Sequence, residues 1–249
     1  MPALAEDLVR QQVAVIVASG GAVAALAAKA ATSTIPIVFA IGDDPVQYGL
    51  VGSFNHPGGN ITGITLFMAT LTPKRLEILG EAAPAAALAI LINPRNPNAE
   101  NEAKNAQAAA RQLGRELHVL TSSNESEVDA AFASIAQQPG GAVMIATDPF
   151  FFVQREQIAA LAARYALPTI HFHRAFAAAG GLISYGATVT EENRTAGRYV
   201  GRILAGEKPG DLPILQPSKI ELIVNLNTAK ALGLTVPPSI RARADEVIE

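Results

Sequence analysis

Short runs of aliphatic residues, apolar at almost every position, alternate along this chain with longer alanine-rich stretches. A strand with one solvated face alternates polar and apolar residues. A strand that is apolar throughout must be covered on both faces, as in parallel sheets whose crossovers are helices. The runs Val13–Ala18, Pro36–Ala40, Ile61–Thr65, Ala87–Ile92, Glu116–Thr121, Ala142–Ala146, Thr169–Phe172 and Leu182–Tyr185 are therefore predicted as strands. Helices are predicted between them at Ala22–Ala31, Pro73–Ala82, Ala99–Leu113, Glu125–Gln137, Arg155–Tyr165 and Glu191–Ala205. The last part of the chain adds a strand-like Lys219–Asn225 and a helix from about Asn227. Repeated βα units with short connections predict an α/β chain of doubly wound parallel sheets.

The number of strands exceeds what one sheet needs, so two lobes are expected. Breaks are placed where turn residues cluster: near Gly63–Pro73, at Gly180-Gly181, and around Lys208-Pro209-Gly210. In the first, Thr72 before Pro73 reads as a helix N-cap followed by an N1 proline. The expected division is 1–70 plus 184–212 for one lobe, and 71–183 plus 213–249 for the other. Three crossings between such lobes would make a hinged molecule with a cleft.

Composition excludes several functions. With Lys+Arg 19 against Asp+Glu 22, the chain carries a net charge of −3 and no basic cluster, which speaks against nucleic acid as a partner. Cys is absent, which removes disulfides, zinc–thiolate sites and thiol nucleophiles together. The uncharged stretch from Gln11 to Ala28 is interrupted by Ser19-Gly20-Gly21, so it reads as strand, turn and helix rather than a membrane span. Met1-Pro2-Ala3 does not open a secretory signal. No G-x-S-x-G elbow, P-loop or H-E-x-x-H motif is present, and no cofactor is expected.

Asx-Pro pairs follow three of the predicted strands: Asp43-Asp44-Pro45, Asn93-Pro94 and Asp148-Pro149. Helix capping explains each pair on its own. In open α/β sheets, however, ligands bind outside the carboxyl ends of the strands, so three such pairs also suit a binding cleft. The turn Ser19-Gly20-Gly21 could receive a carboxylate on its backbone N–H groups, or be an ordinary tight turn. Phe150-Phe151-Phe152 cannot all share one helix face, so one or two rings are expected in the core and one in the cleft, unless all three pack under a loop. His171-x-His173 could offer two imidazoles to a metal, but no third ligand is near and no metal is expected. Arg174 could clamp a carboxylate or form a surface ion pair, and Tyr185 places a hydroxyl at a proposed crossing.

Several segments together resemble a known family. They are Val13–Gly20 with Ala27–Phe39, Pro57-Gly58-Gly59-Asn60-Ile61-Thr62-Gly63, Leu71-Thr72-Pro73-Lys74-Arg75-Leu76-Glu77, Ala178–Gly186, and Ala229-Lys230-Ala231-Leu232-Gly233-Leu234. This combination resembles the substrate-binding proteins of ABC transporters, in the type I periplasmic group with tryptophan-binding-like members. The resemblance implies a non-catalytic, periplasmic solute binder that delivers an amino acid or related carboxylate, aromatic ones included, to a membrane permease. By position it implies a site bordered by Ser19, Gly20, Gly21, Asp43, Asp44, Asn93, Asp148, Phe150, His173, Arg174 and Tyr185. Two positions depart from the family: Gly20-Gly21-Ala22 where Gly-Thr-Pro is common, and Arg174-Ala175-Phe176 where Arg-Glu-Phe is common. The family's leader and first strands have no counterpart, so the first lobe reads as N-terminally truncated, and Val13–Ala18 would form a free edge. A homo-oligomer that pairs or covers that edge is the corresponding expectation, or else a fragment of poor solubility and weak ligand binding. Two other readings stay open: an α/β enzyme using Asp43 or Asp148 as acid or base, and the effector-binding module of a regulator.

Overall fold

The structure, a computed structural model, describes residues 1–19, 21–138, 140–216 and 219–249. In chain order it contains α1 (Pro2–Arg10), β1 (Ile16–Ala18), α2 (Ala22–Ala31), β2 (Ile37–Ile41), β3 (Ile61–Thr65), α3 (Thr72–Ala82), β4 (Leu88–Ile92), α4 (Ala99–Gln112), β5 (Leu117–Thr121), α5 (Glu125–Ile135), β6 (Ala142–Ile145), α6 (Pro149–Val153), α7 (Arg155–Arg164), β7 (Thr169–His171), α8 (Arg174–Ala178), β8 (Ile183–Ala187), α9 (Val189–Leu204), β9 (Ile220–Asn225), α10 (Leu226–Ala231), α11 (Pro238–Arg243) and β10 (Glu246–Ile248). The expected strands are all present, shifted by a few residues at their ends. Helices α1, α6, α8 and α11 and the strand β10 are additions; α6, α8 and α11 are only a turn or two long and β10 has three residues, too short to show a period.

The chain divides into two compact units, Met1–Phe67 with Thr188–Lys219, and Met68–Ala187 with Ile220–Glu249. The sequence placed these divisions near residues 70, 183 and 212. Pairing explains the displacement. Tyr185–Ala187 stay in the second unit because β8 pairs with β9 over Leu222, Glu221 and Ile220. Leu215 stays in the first, bridged to Ile64 and donating its N–H to the Gly63 carbonyl.

In the first unit, β1, β2 and β3 form a parallel sheet in that order. Ile37, Phe39 and Ile41 of β2 pack with Ile16, Ala25, Ala28 and Ile61. Among the described residues β1 pairs with β2 alone, and the central Val17 of β1 is exposed. Asn60 closes the sheet's lower end by donating to the carbonyls of Thr32 and Ile35.

The second unit is a seven-stranded sheet in the order β10-β9-β8-β7-β6-β4-β5. All its pairs are parallel except β8 with β9, which corrects the expectation of a wholly parallel sheet. The central strands explain their own composition. Leu88, Ile90 and Ile92 of β4 face the core shared with α3 and α4, whereas Ala89 and Leu91 face the core shared with α5 and α7. β6 does the same with Ala142 and Met144 on one side, Val143 and Ile145 on the other. Every position of β4 and β6 is buried on one face or the other, which is why both strands are apolar throughout. β5 lies at the edge, and His118 and Val119 there are exposed. The alanines of α4 (Ala99, Ala103, Ala106, Ala110) are buried in the first of these cores, where small side chains suit a close approach to α3. No described helix is long and apolar enough to cross a membrane.

Candidate functional site

Within the second unit the chain runs from β4 outward to β5, then returns to β6 on the other side of β4. The loops after β4 and β6 therefore leave neighbouring strand ends in opposite directions, which makes a topological switch point, the usual ligand position in open α/β sheets. Asn93-Pro94 follows β4 and Asp148-Pro149 follows β6.

The two loops are tied together by one carboxylate. Asp148 caps α6, with Oδ1 accepting from the N–H groups of Phe150 at 2.7 Å and Phe151 at 3.4 Å. Asn93 Nδ2 donates to Oδ1 at 3.2 Å, and Asn96 Nδ2 donates to Oδ2 at 2.8 Å and to the Thr147 carbonyl at 3.1 Å. Asp148 is 4 % exposed. A buried carboxylate is tolerable only when its lone pairs are filled in this way. Asn96 was not anticipated from the sequence, although Asn93-Pro94-Arg95-Asn96-Pro97 repeats the same dipeptide and carried the signal.

The three Asx-Pro pairs share a local geometry, though not the helix cap expected of each. Asp44 accepts from Val46 N at 2.8 Å, Asn93 from Arg95 N at 3.0 Å, and Asp148 from Phe150 N at 2.7 Å. Each is an Asx turn across a proline, which lacks an N–H and leaves the next amide to be bound. Only Asp148 also starts a helix, because Asp44 and Asn93 lead into turns. Thr72 departs in the same manner. Its hydroxyl donates to Glu102 Oε1 at 3.0 Å instead of capping α3, whose N-cap is Leu71.

Of the three phenylalanines, Phe151 is fully buried, while Phe150 and Phe152 are half-buried against the same core. Phe152 is committed to its neighbours, edge-on to His173 at 4.8 Å and with the Arg155 guanidinium above it at 5.3 Å. Phe150 touches Phe151 at 5.5 Å between ring centres and sits beside Asp148 at the switch point.

His173, Arg174 and Tyr185 are engaged within the fold. His173 caps α8 by accepting from Ala175 N through Nδ1 at 2.9 Å, and burial pushes its pKa down to about 4. The Arg174 guanidinium forms a two-pronged ion pair with Glu246 of β10, at 2.9 Å through Nε. Its fork is thus filled by the chain's own carboxylate, the ion pair that was the alternative to a ligand clamp. An open depression of about 380 Å³ lies beside them, lined by Arg155, Glu156, His173 and Arg174. Tyr185 is half-buried on β8, and its carbonyl accepts from Arg75 Nε at 2.9 Å. His171 is wholly buried, with Nε2 at 2.9 Å from Thr169 Oγ1, its ring stacked on Phe176 and its pKa driven down to about 3 by burial. Among the described residues no group of three His, Cys, Asp or Glu gathers as a metal would need.

In the first unit Ser19 is exposed after β1, and Gly21 (φ 79°) is the N-cap of α2, its carbonyl accepting from Ala24 and Ala25. Gly20 lies outside the described residues. Asp43 and Asp44 follow β2. The Asp43 carbonyl accepts from Thr65 Oγ1 at 2.5 Å, and its charge, with burial as the larger cause, drives the Tyr48 hydroxyl up to about 12. Glu192, on the first turns of α9, was not singled out from the sequence. Burial raises its carboxyl to about 7.

Known proteins resemble this chain in sequence and in fold. A curated tyrosine-binding protein of Clostridioides difficile is 27% identical over 211 residues, covering 84% of this chain but 60% of that protein. The chain thus spans less than two thirds of that relative's length. A solved Vibrio cholerae protein, described as a conserved domain protein, is 27% identical with a TM-score of 0.86 over 99% of this chain and 84% of its own. A Streptococcus pneumoniae ABC domain, solved with L-Trp, has a TM-score of 0.87 at 22% identity, over 99% of this chain and 85% of its own, a likeness of fold. The sequence model of the ABC transporter substrate binding protein family matches residues 2–248. The chain belongs to the ABC transporter substrate-binding protein family.

Proposed function

We propose that this protein is the solute-binding component of an ABC-type importer, acting outside the cytoplasm and handing its solute to a membrane permease. The solute is an aromatic amino acid, tyrosine or tryptophan, and it leaves unchanged. Family membership supports the transport role, and the ligands named for two relatives support the solute class. The observation that carries the site is the switch point of the second sheet. There Asn93, Asn96 and Asp148 brace one another, and the half-buried ring of Phe150 stands beside them. Braced loops bind with little ordering cost, and an aromatic ring at such a place stacks on an aromatic solute. Asn93, Asp148 and Phe150, all of the second unit, are the candidate ligand contacts on this reading.

Titration calorimetry and thermal shift across L-tyrosine, L-tryptophan, L-leucine and a pentose test the proposal. A binder gains RT ln(1 + [L]/Kd), about 2.7 kcal/mol at 100 Kd, for the aromatic amino acids alone. Phe150→Ala should weaken binding about five- to tenfold, the equivalent of losing one aromatic contact of about 1 kcal/mol. Equal shifts for leucine and tyrosine would remove the solute class. Unchanged affinity in Phe150→Ala would remove that residue.

Self-association of two copies along β1 belongs to the same proposal. The exposed Val17 of β1 lies on a strand with one free edge among the described residues, and Leu4, Leu8 and Val23 nearby in sequence are exposed too. Such edges recruit other strands. Sedimentation velocity should show dimers at micromolar concentration that Val17→Lys returns to monomers. A monomer in the parent protein would end this part of the proposal.

A further inference from the structure

Arg75 is the largest fully buried side chain of the described residues, 0 % exposed in α3. Nothing in the binding of a solute calls for a buried guanidinium, and its cost in desolvation needs a reason. Its contacts supply one. Nη2 donates to the Met68 carbonyl at 2.7 Å, and Nε donates to the Tyr185 carbonyl at 2.9 Å. Met68 is the first residue of the second unit after the chain leaves the first, and Tyr185 lies two residues before Ala187, where the chain leaves again. The third prong, Nη1, reaches Glu102 Oε1 at 3.4 Å and Thr147 Oγ1 at 3.3 Å. Glu102, 1 % exposed on α4, in turn accepts from the Thr147 N–H through both oxygens, at 3.1 and 3.0 Å. Thr147 immediately precedes Asp148 at the switch point.

The residue before Met68 adds a second observation. Phe67 has φ 45°, the left-handed region that a bulky residue enters only when its surroundings compel it. The fixed Met68 carbonyl is one such constraint. A planar fork with donors in three directions can hold two backbone carbonyls and a carboxylate at once, which a lysine ammonium on a flexible stem cannot.

We infer that Arg75 and Glu102 are a positioning pair that couples the Thr147–Asp148 loop to the two segments, 67–69 and 185–187, through which the chain enters and leaves the second unit. The pair touches no solute; it transmits the state of the switch-point loop to those segments. The inference rests on the reading of that loop as the solute-contacting one, but its physical core, the coupling itself, is measurable without solute.

Hydrogen–deuterium exchange on the full chain tests it in two arms. Without solute, Glu102→Gln keeps the side-chain shape and an acceptor for Thr147, but removes the charge that holds Arg75. Exchange should rise at least fivefold in peptides covering 68–71 and 185–187, which Glu102 does not hydrogen-bond. Ile158→Val, a core change on the opposite face of the sheet, is the control and should leave those peptides as they are. Equal exchange there in Glu102→Gln and the parent, or equal rises in both variants, would overturn the coupling. In the second arm 1 mM L-tyrosine or L-tryptophan is added. The parent should slow at 147–152 and also at 68–71 and 185–187, whereas Arg75→Lys should slow at 147–152 alone. Persistence of all three effects in Arg75→Lys would also overturn the inference. If neither amino acid slows 147–152 in the parent, the solute reading fails, and the solute-free arm still decides the coupling.

Discussion

Glu102→Ala is expected to destabilise the second unit by about 3–5 kcal/mol, the range for removing one partner of a buried ion pair. The change strands the Arg75 guanidinium in a site with 0 % exposure and leaves the Thr147 N–H and the Thr72 hydroxyl without the acceptor they share. Burial already works against both charges. It lowers the Arg75 pKa and raises that of Glu102, and in each case the partner opposes the shift. Urea unfolding followed by circular dichroism reads the loss as a fall in midpoint. The paired replacement Arg75→Met with Glu102→Leu removes both charges and should recover part of the loss, which a packing defect alone would not. A Glu102→Ala protein within about 1 kcal/mol of its parent would show that water reaches Arg75.

Acid is expected to unfold the same unit through its two buried imidazoles. Burial holds His171 at about 3 and His173 at about 4, with the nearby arginines as the smaller cause. The unfolded chain protonates both near 6.5, so below that pH it binds protons that the folded unit refuses. Stability is therefore fully present above about pH 6.5 and is lost as pH falls toward 4, by roughly 1.4 kcal/mol per pH unit for each histidine. Protonation of His171 is opposed further by its Nδ1, which has no hydrogen-bond partner. Glu192 works in the opposite direction, because a carboxyl raised to about 7 keeps a proton that the unfolded chain gives up near 4.5. The informative quantity is thus a difference between proteins, not one profile. His171→Phe keeps the stack on Phe176, and His173→Asn keeps an N-cap acceptor. Urea midpoints from pH 7 to pH 4 should fall more gently in the double variant. Parallel profiles for parent and variant would show that neither histidine carries the acid sensitivity.

The strands and most helices were legible in the sequence because each rests on a local pattern. β4 and β6 are apolar at every position since both faces of the sheet are covered, and that signature needs no knowledge of what covers them. The Asx-Pro loops were legible for a similar reason, since an Asx turn across a proline closes within three residues. Family resemblance extended that reading to the kind of protein. The residues whose roles stayed open or were misread are those whose partners are remote. Arg174 could be read equally as a ligand clamp or an ion pair, until β10 brought Glu246 against it from 72 positions away. Thr72 had the place and neighbour of a helix cap, yet its hydroxyl goes to Glu102, 30 positions on.

Arg75 shows the limit most plainly. In Leu71-Thr72-Pro73-Lys74-Arg75 it reads as one more charged residue near a helix start, and its neighbour Lys74 is indeed partly exposed. Its burial was decided by a carbonyl 110 positions distant and a carboxylate 27 positions distant. The sequence alone determined which segments become strands and which loops turn sharply, because backbone sterics and burial on two faces act over a few residues. The strand order that puts the switch point between β4 and β6 came only with the sheet. Only the tertiary structure decided which polar side chains are spent on holding the fold together. That choice depends on desolvation and on partners that meet only when the sheet has formed.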